Sequence, residues 1–301
     1  MEEIMFRQAT RQQSKLRMTI DGPAGSGKTY TALRFAHALA NGGKIAVLDT
    51  ERGSASKYVG DAPDSIPWKF DVAELTTFSP EKYAQLIEMA GRSGYTVLVI
   101  DSLSHAWEGV GGALDIKGRI GESWSAWRQV TPIHNRMVDA ILQAPMHVIT
   151  TMRSRMEYVQ ETDPTSGRTI IRKVGMSPIQ RPGFEYEFDI VCDMDWAHIL
   201  TVSKSRCSLV ADLTVEKPGP AFMAPVIEWL SSGDAERLPV EQEPEIIQAA
   251  VETPITPITP IITLDLLLDA FGPEKILEAN NGQLPATDAE ILQIAEKLGV
   301  A

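Results

Sequence analysis

The sequence predicts an α/β fold with a mainly parallel central sheet, followed by a linker and a small α-helical module. Three observations carry that expectation. Apolar runs of five or six residues recur, such as KIAVLD at Lys44–Asp49 and TVLVID at Thr96–Asp101. Runs without a polar alternate belong to strands buried on both faces, as in a parallel sheet between two helical layers. Longer stretches of helical periodicity separate the runs, as crossover connections between parallel strands require. Past residue 231 the composition turns to proline and glutamate, and the alternation stops.

Taken in order, the first strand is expected at Leu16–Asp21, with a glycine-rich turn after it. A helix over Gly27–Ala40 sets Leu33, Ala36 and Leu39 on one side. Lys44–Asp49 is the second strand. Ser79-Pro80 opens the next helix, serine as cap and proline in the first turn, and the helix runs to about Arg92. Thr96–Asp101 is the third strand, and a helix near Trp124–Gln143 leads into a fourth at Met146–Thr151. From there the pattern becomes hairpin-like: Met156–Val174 holds Asp163-Pro164-Thr165-Ser166-Gly167 between two β-prone arms. Phe188–Asp195, Ile199–Ser203 and Asp212–Val215 read as further strands. Three segments follow: a core domain over 1–231, a Pro/Glu-rich linker over 232–262 and a helical module over 263–301. Proline at every third position from Pro254 to Pro260 favours extended polyproline II in the linker. Short amphipathic helices are expected at Thr263–Phe271, Pro273–Ala279 and Thr287–Leu298, capped by Thr263, Gly282 and Thr287/Asp288.

Charge is unevenly spread. The 301 residues include 40 acidic and 28 basic side chains, a net of -12. Residues 232–301 hold 13 acidic and three basic of these, which leaves residues 1–231 nearly neutral at 27 and 25. A near-neutral core can still carry a basic groove. No apolar run is long enough to cross a bilayer, and the polar segment MEEIMFRQATRQQSKLR reads as neither signal peptide nor anchor, so a cytoplasmic location is expected. Cys192 and Cys207 flank apolar residues and read as buried free thiols, and no Cys/His cluster has zinc spacing.

Gly22-Pro23-Ala24-Gly25-Ser26-Gly27-Lys28-Thr29 fits G-x-x-x-x-G-K-[ST] between a strand and a helix. Its glycines let backbone N–H groups turn inward around phosphates, Lys28 reaches the β- and γ-phosphates, and the Thr29 hydroxyl ligates Mg²⁺. ATP is therefore the expected ligand, with Tyr30 beside the loop in the same set. Asp101, ending an apolar strand, is expected to hold the metal through water.

These motifs resemble the RecA-like P-loop ATPases. Met18–Leu33 and Gly183-Phe184-Glu185-Tyr186-Glu187-Phe188-Asp189 resemble more narrowly the phage and prophage AAA-type ATPases, including Sak-type single-strand annealing proteins that keep little beyond a RecA core. The resemblance covers roughly residues 5–231. It implies that Glu51, two residues past Asp49, is the base that activates water, and that Tyr58 stacks on adenine. Thr151 stands where RecA has its glutamine sensor. Lys204 and Arg206 resemble the Lys-x-Arg segment inserted into a neighbouring subunit's ATP site. The resemblance also implies a phosphate-loop strand flanked by the strand of Asp101, and assembly into rings or filaments.

In RecA-like proteins, loops after the third and fourth strands line the DNA path. Here the segment after the fourth strand carries Arg153, Arg155, Arg168, Arg172 and Lys173, with Tyr158 among them and Arg181 beyond. Basic residues contact phosphates and aromatics stack on exposed bases. The segment His105–Arg128 adds Trp107, Trp124, Trp127 and Arg128, although Trp124 and Trp127, three apart on a helix, fit core packing. The expected function is ATP hydrolysis coupled to single-stranded DNA in phage-type recombination, annealing or replication. The alternatives are a nucleotide-dependent assembly or switch protein acting on protein partners without DNA, and a helicase-loader-type motor. The acidic C-terminal module is expected to dock onto the single-strand binding protein or another replication protein, or to mask the basic hairpin.

Overall fold

The computed structural model describes residues 13–121, 123–162, 169–233, 275–280, 283, 285 and 287–298, with backbone alone for 157–162, 169–175, 288 and 292. The chain divides into two compact units, Met1–Leu238 and Pro239–Ala301.

In the first unit the strands are β1 (Arg17–Gly22), β2 (Ile45–Asp49), β3 (Asp71–Glu74), β4 (Val97–Asp101), β5 (His147–Thr162), β6 (Thr169–Pro178), β7 (Ile190–Met194), β8 (Ile199–Ser205) and β9 (Thr214–Glu216). The helices are α1 (Lys28–Ala40), α2 (Pro80–Arg92), α3 (His105–Glu108), α4 (Ala113–Ile120), α5 (Trp127–Gln143) and α6 (Pro220–Ser231). The sheet runs β3-β2-β4-β5-β1-β7-β8-β9, and β6 pairs with β5 outside that path. From β3 to β7 every pairing is parallel, while β8, β9 and β6 add antiparallel edges. This is the mixed α/β, mostly parallel architecture of a P-loop core.

One expectation is corrected. The phosphate-loop strand β1 is flanked by β5 and β7, not by the strand of Asp101, because β5 pairs with both β1 and β4 and separates them. Strand pairing is non-local, so the order of strands along the chain does not fix it. The inserted strand brings Thr151 between Ile20 and the end of β4, within reach of Asp101.

Successive residues of β4 alternate between two apolar clusters: Val97 and Val99 join one, Leu98 and Ile100 the other. The clusters therefore occupy opposite faces of the sheet. On one face α1 and α6 pack through Leu33, Phe35, Ala36, Phe222 and Val226. On the other, α2 and α5 contribute Tyr83, Ile87, Met137 and Ile141. Ser79 caps α2 by accepting from the Lys82 N–H, with Pro80 in the first turn. At the end of α5, the buried Arg17 guanidinium donates to the helix-terminal carbonyls of Leu142 and Ala144, which have no partner within the helix, and to the Met146 carbonyl beyond them. The hairpin expected over Met156–Val174 is β5–β6, its centre lying outside the described residues. Cys192 and Cys207 are buried free thiols.

In the second unit, Asp288–Lys297 is a helix whose N-cap Thr287 forms a capping box with Glu290. Ile276, Ile291, Ile294 and Ala295 form its small apolar cluster. The expected helix at Thr263–Phe271, the Gly282 cap and residues 234–262 lie outside the described residues. Among the described residues no helix is long and apolar enough to cross a membrane.

Candidate nucleotide site

The loop between β1 and α1 is shaped by two glycines for different reasons. A Cβ at Gly22 would stand 2.4 Å from the Met194 carbonyl oxygen and 2.9 Å from Ser26 Oγ. Gly27 adopts φ 93° as it enters α1, a left-handed conformation that costs a side-chain-bearing residue about 1 kcal/mol or more. The β7–β8 turn backs the loop, with His198 Nδ1 3.0 Å from the Ser26 carbonyl oxygen. The N-terminal amides of α1 follow at once, and helix N-termini favour anions through those amides and the helix dipole.

Three side chains converge beside the loop. Thr29 Oγ1 donates to Asp101 Oδ2 at 2.7 Å, and Thr151 Oγ1 donates to Asp101 Oδ1. Burial pushes the Asp101 carboxyl up, and the two hydroxyl hydrogen bonds oppose that rise. Lys28 Nζ donates to the Pro23 carbonyl at 2.8 Å. Its pKa is lowered by burial, against the raising influence of Asp101 and Glu51. The donor set fits a triphosphate with Mg²⁺: a hydroxyl and a carboxylate are hard oxygen ligands, and Lys28 supplies the cation. Ser26 Oγ is buried with no hydrogen-bond partner among the described residues.

Glu51 is held on the same edge. Asp49 shapes its turn by accepting from the Glu51 N–H at 2.6 Å and the Ala55 N–H at 3.0 Å. The carboxylate of Glu51 is engaged by Arg153 in a two-pronged pair, Nε to Oε1 at 3.0 Å and Nη2 to Oε2 at 2.6 Å. Ser102 Oγ donates to Oε1 at 3.4 Å. Burial alone would raise the Glu51 carboxyl, but the Arg153 guanidinium outweighs it and holds the group below its ordinary value.

Other residues singled out in the sequence fall as follows. Tyr58 and Tyr30 are half-buried and pack edge-on at 5.7 Å, and both contact the buried Trp68. Lys204 Nζ donates to the carbonyls of Glu185, Tyr186 and Phe188 at 2.7–3.1 Å. Arg206 pairs with Asp189 at 2.9 Å while staying 59% exposed. Arg155 is exposed at the root of the β5–β6 hairpin. The backbone register sets Tyr158 opposite Lys173 and Arg172 opposite Val159. The side chains of those residues, and Arg168 entirely, lie outside the described residues. Trp124 is 85% exposed, so it does not pack in the core as its spacing suggested.

Sequence reasoning missed three features. Arg153, read as a DNA contact, also grips Glu51. His198 supports the loop from a distant turn. Asp21, buried near the end of β1, lies beside Asp193 on β7, and burial together with a side-chain hydrogen bond to Asp193 pushes its carboxyl up to about 9.

A glycine-shaped loop at a helix N-terminus, its lysine and hydroxyl converging on a strand-end aspartate, defines the chain as a P-loop ATPase. More particularly, the chain belongs to the AAA domain family, which matches residues 14–211. No curated protein matches the chain.

Proposed function

We propose that this ATPase acts on single-stranded DNA in phage-type recombination, annealing or replication, with Glu51 as the base that orients and deprotonates the attacking water. Lys28 and the loop amides hold the triphosphate, and Thr29 and Asp101 hold Mg²⁺. When bound, that ion neutralises charge on the β- and γ-phosphate oxygens. Thr151 fixes the Asp101 carboxylate, Tyr58 and Tyr30 stand on the adenine side, and Lys204 and Arg206 serve a neighbouring subunit in a ring or filament. The acidic C-terminal module docks onto another replication protein.

The observation that carries the coupling to DNA is the Glu51–Arg153 pair. A carboxylate held by a guanidinium in two hydrogen bonds is a poor base, because its lone pairs are occupied and its charge is matched. Arg153 lies two residues before Arg155, where β5 leaves the sheet for the basic hairpin. Phosphates drawn to that hairpin compete for Arg153 and free Glu51.

The test is ATP turnover with and without a single-stranded oligonucleotide, beside a Lys28→Ala control that loses nucleotide binding. Stimulation by oligonucleotide is expected. Turnover that ignores oligonucleotide over a range of low salt concentrations would favour the second reading, a nucleotide-dependent assembly or switch protein without DNA. That reading draws its support from Arg206, whose side chain stays mostly exposed beside Asp189 and open to a neighbouring copy.

A further inference from the structure

Glu51 follows Thr50, and the Thr50 hydroxyl is the hub of a polar cluster that joins three elements. It accepts the Ser102 N–H at 2.7 Å and lies 2.7 Å from Nδ1 of His105, the first residue of α3. The Thr50 N–H donates to the Asp101 carbonyl at 2.8 Å. Ser102 in turn donates through Oγ to Glu51 Oε1 at 3.4 Å. A chain of contacts therefore runs from His105 through Thr50 and Ser102 to the carboxylate.

Where the Thr50 proton goes decides the part that His105 plays. The hydroxyl has one proton to give, and two acceptors stand near it, His105 Nδ1 at 2.7 Å and the Ser102 carbonyl at 3.2 Å. That carbonyl is already served by the Tyr83 hydroxyl at 3.1 Å. The shorter contact takes the proton, so the imidazole accepts at Nδ1 and carries its own proton on Nε2. Accepting requires a neutral ring. Burial first, and the Arg153 cation next, lower the His105 pKa against Glu51 and Glu108, which raise it. The ring is also clamped: it stacks on Phe78 at 4.7 Å and 21°, and the His105 carbonyl accepts the Gly109 N–H at 2.9 Å. Thr50, Ser102 and Tyr83 are all buried, so a bond lost among them is not replaced by water.

We propose that His105 is a positioning residue for the hydrolytic carboxylate: by fixing Thr50, and through it Ser102, it keeps Glu51 aimed once Arg153 lets go. The proposal rests on the reading of Glu51 as the base and adds the restraint that remains after the guanidinium leaves. While Arg153 grips both carboxylate oxygens, the Ser102 contact matters little. With Arg153 drawn off, Ser102 Oγ is the one direct hydrogen bond left to that carboxylate among the described residues. A single long bond aims a carboxylate only if its donor cannot shift. Thr50 holds that donor, and His105 holds Thr50.

The experiment is steady-state ATP turnover by the full chain carrying His105→Ala, in the parent and in an Arg153→Ala background that needs no oligonucleotide. In the second background kcat is expected to fall about tenfold, part of the roughly 10²–10⁴ that a positioned base supplies. KM for ATP, nucleotide retention and thermal midpoint stay unchanged. In the parent without oligonucleotide, where Arg153 still holds Glu51, the fall is smaller. His105→Asn sets an amide atom two bonds from Cβ, as Nδ1 is, and should restore most of the rate. On a Glu51→Gln chain, His105→Ala should change nothing further. An unchanged kcat in the Arg153→Ala background, a loss that asparagine does not rescue, or a fall of equal size beside Glu51→Gln would overturn the positioning role and leave Glu51 as the base. Parent-like turnover by Glu51→Gln alone would overturn the base reading itself, and the positioning role with it.

Discussion

Glu51 and Arg153 stand 102 positions apart and meet through two hydrogen bonds, so removing the arginine isolates what that contact does. Arg153→Ala leaves a half-buried carboxylate with Ser102 and His105 still acting on it. Basal ATP turnover is expected to rise several-fold and oligonucleotide stimulation to shrink. The acidic limb of the kcat profile is expected to move to higher pH, because the strongest influence opposing the burial of Glu51 is then gone. Steady-state turnover across pH checks this, and an unchanged basal rate and limb would remove Arg153 as a restraint. Asp21 makes a second residue-scale prediction. Its carboxyl titrates near 9 in the folded chain against 3.8 as a reference, so the native state keeps a proton that the unfolded chain releases. Its contribution is complete below about pH 4 and is lost as pH rises toward 9. Asp21→Asn, which keeps a donor toward Asp193, should stabilise the chain by about 1–3 kcal/mol at neutral pH and flatten stability across that window. Urea melts at several pH values measure it, and a variant as pH-dependent as the parent would contradict it.

At the scale of elements, α6 seals one face of the sheet. Phe222 stacks on Phe35 of α1 at 5.1 Å and 12°, and only 6% of its surface is exposed. Phe222→Ala should cost about 3–5 kcal/mol in denaturant unfolding, by lost burial and an unfilled cavity. A loss under 1 kcal/mol would mean that α6 is only loosely attached. This helix was not legible in the sequence, where Pro220 and Pro225 masked its periodicity. The strand β3 was missed as well, since Asp71–Glu74 is short and largely exposed and so has no apolar run to betray it. The phosphate loop, by contrast, is a local motif whose strand, turn and helix follow one another in sequence. Thr29 and Asp101 could be read from their positions in motifs and are joined by a 2.7 Å hydrogen bond. The strand order, the grip of Arg153 on Glu51 and the exposure of Trp124 depend on which distant segments meet, and no local pattern encodes that.

For the molecule as a whole, the outlying question is whether one copy suffices. Arg206 is mostly exposed, and its pair with Asp189 is of the kind worth about 0–1 kcal/mol, so exchanging it for a neighbour's phosphate costs little. Arg206→Ala should leave nucleotide binding intact and lower turnover by roughly 10³ or more, and the parent's turnover per subunit should climb with protein concentration. A variant that turns over normally would assign Arg206 to its own surface. Lys204 donates to three carbonyls of its own chain, ties that it would give up to reach a neighbour's site. The long strand β5 carries a consequence for engineering. Its 16 residues run from the interior of the sheet, past Thr151 and Arg153, out along the arm paired with β6, with one register shift at Glu157/Tyr158. Side chains on such a ribbon alternate, so inserting one residue after Arg153 would swap the two sides of everything outward while leaving everything inward in place. Such a chain would keep its grip on nucleotide and lose the phasing between arm and catalytic edge, whereas a two-residue insertion would restore it.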